Sequence, residues 1–270
     1  AFFSTFIRND PNKKMGGGLV ILDNDAHASL RDVGVAIGGV KPTATLKKTF
    51  DINELEQHME AIADAHKDEA PITWYVADGM VSITGQIMDV NAIFALQRKH
   101  PNLFVYCDDA HGSGWSGKGG IGLVPDKVIH EAKTNENGYA EEAKRWVFGV
   151  CFGKSFGADG GALILPTQDM KDLVHALSPF CTFTCTKFPI ADLALVNEAM
   201  KMALDGTIDE LQIELGRKVS YLHTRAHLYL SDFVEFPTTA ETPVLFVPID
   251  RDMDTFFQVV RTLHEDGYFV

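Results

Sequence analysis

The sequence predicts an α/β fold: a mostly parallel sheet with helices on both faces, followed by part of a smaller C-terminal α/β domain. Three observations carry this. Apolar, β-rich runs at 72–77, 103–107 and 148–151 are separated by helix-like stretches, the strand–helix–strand rhythm of a parallel sheet. Helical spacing is clear in Ile52, Leu55, Met59 and Ile62, and again in Val90, Ile93, Phe94 and Leu96. After Asp205 the pattern changes to one long helix, then a strand and a helix, so residues 1–205 read as a large domain and 206–270 as the start of a small one.

In order along the chain, 1–7 reads as the end of a helix and 10–18 as a turn-rich loop. A short strand at 18–22 leads to a helix opening at His27, with Asp25 as its expected N-cap and Gly38 and Gly39 as its end. Residues 45–50 read as a strand, and Asp51 opens the next helix. The strand at 72–77 is followed by a loop at 78–85, a helix at 90–100 and the strand at 103–107. Residues 130–145 are charged and read as a solvated, partly helical insertion. Strands at 148–151 and 162–165 flank a glycine-rich turn. A helix at 169–177, a Thr/Cys/Phe-rich connection at 178–189, and helices at 190–205 and 208–231 follow. A strand at 243–248 and a helix at 252–265 close the chain.

The bulk numbers narrow the function. A chain of 270 residues with 46% apolar and 23% charged residues is long enough to bury a large core. Its net charge of −13 disfavours nucleic acid and anionic membrane surfaces. No apolar run is long enough to span a bilayer, and no signal-peptide pattern is visible. Cys107, Cys151, Cys181 and Cys185 lack zinc-ligand spacing and are too few for a disulfide scaffold, so no metal site is expected and a reducing compartment, the cytosol, is. The chain begins on Ala1-Phe2-Phe3 and stops at Gly267-Tyr268-Phe269-Val270, which reads as a strand start; an internal piece of a longer polypeptide is expected.

Chemistry concentrates in two stretches. Val147 to Gly161 carries Lys154 between glycine-flanked turns just after an apolar strand. Leu103 to Gly112 carries Asp108 and His111 just past the preceding strand, where ligands bind in parallel sheets. Ser82 lies in the loop after the strand before that. A lysine at a strand end facing a dry pocket, its pKa lowered by burial, suits a Schiff base with pyridoxal phosphate (PLP). That cofactor also needs a carboxylate for its ring nitrogen and groups that fix the ring plane. Lys154, Asp108 and the set of His27, Ser82 and His111 supply those types. The bland alternatives are a surface lysine in a glycine-rich loop, a helix cap at Asp108 and Asp109, and a surface histidine at His27.

Asp108-Asp109-Ala110-His111-Gly112 followed by Phe152-Gly153-Lys154-Ser155-Phe156-Gly157 resembles the α-oxoamine synthases, a family of fold-type-I PLP enzymes. Asp78 to Ser82 with Gly85 resembles that family's loop ahead of the aspartate strand, and Asp25 to Ser29 its ring-stacking segment. Thr184-Cys185-Thr186 before Pro189 resembles the stretch that reaches the neighbouring subunit's PLP phosphate. The resemblance runs along the whole chain, which corresponds to the middle of a family member. It implies the type I PLP-transferase fold, with Lys154 as the cofactor lysine and proton shuttle and Asp108 on the ring nitrogen. It also implies His111 and Ser82 beside the phenolic oxygen, His27 on the ring face, and Cys151, Thr184 and Thr186 near phosphates. The implied reaction is a decarboxylating condensation of an amino acid with an acyl thioester, on coenzyme A or a carrier protein, by a homodimer.

The sequence departs from the family in several places. Cys151 stands where the family usually has Thr, and a thiol is a weaker donor. Asp78 stands where Glu is common, a family His-Asn-Asp is missing around Thr49-Phe50-Asp51, and the stretch from His111 to Lys154 is longer. The family's glycine-rich N-terminal phosphate segment and its substrate-gripping C-terminal arginine lie outside the chain. These features resemble the PLP domain of polyketide synthases that begin saxitoxin synthesis, which implies arginine and a carrier-bound propionyl unit. Three other readings compete. A P-loop ATPase needs four residues between its first glycine and Gly-Lys-Ser, whereas three separate Gly149 from Gly153-Lys154-Ser155. A silent scaffold domain of this fold would be expected to lose the lysine. An aminotransferase or lyase of the same fold would share Lys154 and Asp108.

Overall fold

The computed structural model describes residues 18–36, 42–67, 70–177, 189–232, 234–236, 242–248 and 253–267. Among the described residues six strands form one sheet: β1 Leu19–Leu22, β2 Ala44–Thr45, β3 Thr73–Asp78, β4 Leu103–Asp108, β5 Trp146–Cys151 and β6 Gly161–Ile164. Their order is β2-β1-β3-β4-β5-β6, parallel throughout except for the antiparallel β5–β6 pair. The helices are α1 Ala28–Ala36, α2 Ile52–Ala65, α3 Val90–Lys99, α4 Leu123–Thr134, α5 Ala140–Ala143, α6 Gln168–Leu177, α7 Ile190–Asp205, α8 Thr207–Leu230 and α9 Met253–Glu265.

The strands read as near-continuous apolar runs because both faces are covered. Side chains alternate between two cores with the period of two that a strand imposes. Ile21, Tyr75, Ala77, Val105, Cys107, Trp146 and Phe148 join Leu55 and Met59 of α2 and Ile93 and Phe94 of α3 in the larger cluster. Val20, Leu22, Trp74, Val76, Tyr106 and Val147 point the other way, with Leu30 of α1 and Met170 of α6. Gln97 of α3 is fully buried and bridges the larger core: its amide donates to the Leu103 carbonyl at 3.1 Å and accepts from Trp146 Nε1 at 2.8 Å. Gln97→Leu is expected to lower stability by about 2 kcal/mol, read from the urea midpoint, because it strands the buried Trp146 N–H and leaves the Leu103 carbonyl only its longer bond from Arg145.

Several expectations change. The strand expected at 45–50 is only Ala44–Thr45, because the chain turns at Phe50, where φ is +54 and the backbone N–H donates to Asp23 Oδ2 at 2.8 Å. Asp25 does not cap α1; its carboxylate accepts from the Thr49 hydroxyl, while His27 Nδ1 accepts from the Ser29 N–H at 3.2 Å. Asp51 does cap α2, accepting from Glu54 N at 3.0 Å. The charged stretch 130–145 is not merely solvated. Glu131 takes N–H groups of Asn137 and Tyr139, at 3.1 and 2.8 Å, and Glu142 pairs with Arg98 at 3.2 Å, so both carboxylates are buried over α3. Residues 244–248 form no strand, so the one expected at 243–248 is absent. The expectations for 1–7, 10–17, Gly38, Gly39 and 178–188 lie outside the described residues, as do Cys181, Thr184, Cys185, Thr186 and the final strand start at 268–270.

Two compact units divide the chain. The first comprises Ala1–Ser82 and Ile87–Leu215, and holds the sheet. The second comprises Ile83–Gln86 and Gly216–Val270. In it, buried His223 contacts the Thr242 carbonyl at 2.9 Å and His227 packs on Phe236 with ring centroids 4.4 Å apart. Among the described residues no helix is long and apolar enough to cross a membrane.

Candidate active site

Parallel pairing puts the carboxyl ends of β3, β4 and β5 abreast, with Asp78 opposite Asp108 and Asp108 opposite Gly149. A cavity of about 900 Å³ opens beyond them, lined by Asp78, Asp108, His111, Cys151, Lys154 and His27 among others. Such crevices are where open parallel sheets bind ligands. Gly149 is required by close approach: a Cβ there would sit 2.5 Å from Tyr106 Oη. Tyr106 also lines the cavity, and burial, with the nearby Asp108 charge, pushes its phenol up.

Lys154 and His111 arrive from different loops. Asp108 Oδ1 accepts from the Ala110 N–H at 3.1 Å and turns the chain after β4. The Gly112 and Ser113 N–H groups then close on the Asp109 carbonyl at 3.1 and 3.0 Å. The loop folds back so that Ser155 Oγ donates to the Ser113 carbonyl at 2.7 Å. Gly114, at φ +89, packs against Ser155 so closely that a Cβ there would lie 2.2 Å from that of Ser155. The outcome is a contact of 2.6 Å between Lys154 Nζ and His111 Nε2. Burial first, and the Lys154 charge second, hold His111 below its ordinary pKa. A neutral His111 then accepts from the lysine ammonium and is placed to exchange a proton with it.

The carboxylates differ in environment. Asp78 is buried, and its Oδ1 accepts from the His27 N–H at 3.1 Å. Asp109 is buried away from the cavity lining, and burial, followed by Asp108, pushes its carboxyl well up. Neither Asp109 oxygen has a hydrogen-bond partner among the described residues, which fits a neutral acid.

The structure thus gathers His27, Asp108, His111, Cys151 and Lys154 at one cavity. The rings of His27 and His111 stand with centroids 6.5 Å apart. Ser82 lies in the turn after β3 and does not line the cavity. Thr184 and Thr186 lie outside the described residues. The expectation of a buried lysine is corrected: Lys154 is exposed, because the turn after β5 carries it to the solvent side of the cavity. Sequence reasoning missed Gly114 and Tyr106, and placed Asp78 in the family-like loop, as Asp where Glu is common, without a role. No local signal marks Gly114 or Tyr106, since each acts through a residue distant in sequence.

No family model matches the chain. The 8-amino-7-oxononanoate synthase of Alkaliphilus oremlandii is 29% identical over 255 residues, covering 94% of this chain and 57% of that protein. Serine palmitoyltransferase 2 of Caenorhabditis elegans is 28% identical, covering 90% of this chain and 41% of that protein. The chain is related to the α-oxoamine synthases. It spans about half the length of these curated relatives. Among solved structures, the serine palmitoyltransferase of S. paucimobilis with a bound PLP–myriocin aldimine superposes on all of the chain and 61% of its own, at a TM-score of 0.68 and 20% identity. This likeness shows the fold, a mostly parallel α/β sheet with helices on both faces, as in that serine palmitoyltransferase.

Proposed function

We propose that the protein is a PLP-dependent acyltransferase that joins an amino acid to an acyl thioester with loss of the amino acid's carboxylate, giving an α-amino ketone. The observation that carries this reading is the 2.6 Å contact of Lys154 with His111 in a cavity whose floor is the Asp108 strand end. The relatives named above are enzymes of this reaction type, and the chain's own donor set fits the cofactor. An amine reachable from solvent, a carboxylate at a strand tip and two imidazoles meet around one cavity.

In this reading Lys154 is the attachment residue, Asp108 faces the ring nitrogen and His27 covers the ring face. His111 serves the phenolic oxygen side, and Ser82, expected there too, stays outside the cavity lining. Cys151, and Thr184 and Thr186 from a second subunit of a homodimer, serve phosphates. When bound, PLP supplies an electron sink for negative charge at the amino acid's α-carbon. Lys154 Nζ takes the α-proton and later returns one, and His111 Nε2 sets its direction of approach and shares its proton. Gly149 and Tyr106 shape the cavity wall beside the lysine.

The finer assignment is arginine as the amino acid and a carrier-bound acyl group as the donor, with coenzyme A thioester as the other candidate donor. Residues 1–205 serve as the cofactor domain and 206–270 begin the small domain. The setting is cytosolic. The test is release of carbon dioxide from carboxyl-labelled amino acids, arginine first, with acyl-CoA or acyl-carrier donors. Release that depends on the donor is expected. Amino-group transfer to an oxo acid without carbon dioxide release would replace this reading with an aminotransferase.

A further inference from the structure

Asp78 ends β3 directly beside Asp108 on β4. It is 2% exposed, yet it lines the cavity. One oxygen accepts from the backbone N–H of His27, 51 residues away in sequence, and the other has no partner among the described residues. That bond fixes where the chain enters α1. The His27 ring is then steadied by its own neighbours, with Nδ1 2.8 Å from Ser29 Oγ. Two carboxylates on adjacent strand tips are not both readily ionised.

We propose that Asp78 is a positioning residue of this site, which in its neutral form anchors His27 at the cavity edge beside Asp108. The assignment of Asp78 rests on the proposed PLP function for its consequence, but not for its protonation. The groups around it are Asp108 on β4, Lys154 after β5, Asp23 after β1 and the His27 N–H, with Tyr106, Cys107 and Asp109 on β4 and its turn also sensing it. Burial is the largest influence and raises the Asp78 carboxyl to about 7; Asp108 and Asp23 add to it, while the His27 N–H and Lys154 oppose it. The folded value lies above the ordinary 3.8, so the stabilisation from the bound proton is complete below pH 3.8 and is lost as pH rises through about 7.

The test compares wild type with Asp78→Asn, which keeps an acceptor for His27 but cannot ionise, and Asp78→Ala, which keeps neither. Melting temperature is measured on the protein without cofactor, and PLP release is followed by absorbance after loading. Between about pH 5.5 and about pH 8.5 the wild-type Tm is expected to fall roughly 5 °C further than that of Asp78→Asn. Asp78→Ala is expected to release PLP about tenfold faster than wild type, with Asp78→Asn restoring retention to within about twofold at the acid end. A general packing defect would lower Tm in both variants without changing its slope against pH. Parallel Tm profiles for wild type and Asp78→Asn overturn the proposal. So does PLP retention in Asp78→Ala equal to wild type. If Asp78→Ala does not fold, the Asp78→Asn profile decides alone. If wild type holds no PLP, the proposed function falls, while the pH profiles still decide the Asp78 assignment.

Discussion

Lys154→Ala is expected to lower donor-dependent carbon dioxide release by on the order of 10⁴-fold or more, the scale of losing the nucleophile of a covalent mechanism. The Lys154 amine combines attachment with proton transfer at the reacting carbon. Its partner His111 remains in the variant, but an imidazole alone has nothing to relay. Lys154→Arg is expected to fail almost as completely. A guanidinium keeps the charge but is not deprotonated in proteins, so it neither attaches nor abstracts. Folding is expected to be unaffected in both, because Lys154 is exposed and its contact is with one side chain. Circular dichroism beside the activity assay checks this. Residual release within about tenfold of wild type in Lys154→Ala would remove the lysine from the reaction.

Gly114→Ala is the second large expected effect. At φ +89 an alanine is strained, and its Cβ would sit 2.2 Å from the Cβ of Ser155. Strain and overpacking together are expected to cost about 2–4 kcal/mol of stability. The chain relieves this by moving the 153–157 turn, which carries Lys154 away from His111. Activity is therefore expected to fall even where the protein remains folded, by about 10²-fold for a displacement near 1 Å. Urea midpoint and turnover measured on the same preparation separate the two effects. An unchanged turnover with a lowered midpoint would mean that the 153–157 turn does not depend on Gly114 for its position.

What was legible in the sequence followed from patterns that operate over a few residues. The runs in β3, β4 and β5 are apolar because both faces of a parallel sheet are covered, and the alternation of Trp74, Tyr75, Val76 and Ala77 between two cores is the expected consequence. The Asp108 and His111 spacing predicts a strand tip and a turn, and both are present. Helix α7 falls at the expected residues. Features set by distant partners were not legible. β2 is short because Asp23 captures the Phe50 N–H. Glu142 looks like a surface residue until Arg98, from another helix, meets it. Residues 244–248 have strand-like composition, yet composition alone supplies no neighbouring strand to pair with. Lys154 was expected to be buried by analogy with amines activated in dry pockets; the loop that holds it instead leaves it open to solvent. Asp78 is inconspicuous in sequence, and only the fold brings it to His27 and Asp108.

The central claim is that Lys154 holds PLP. The most direct measurement is to load the protein with PLP, reduce with borohydride, digest, and locate the modified peptide by mass spectrometry. A pyridoxyl group on Lys154, absent in Lys154→Ala, is the predicted result. A folded protein that gives no adduct, or one modified at another lysine such as Lys171 of the cavity wall, would contradict the claim.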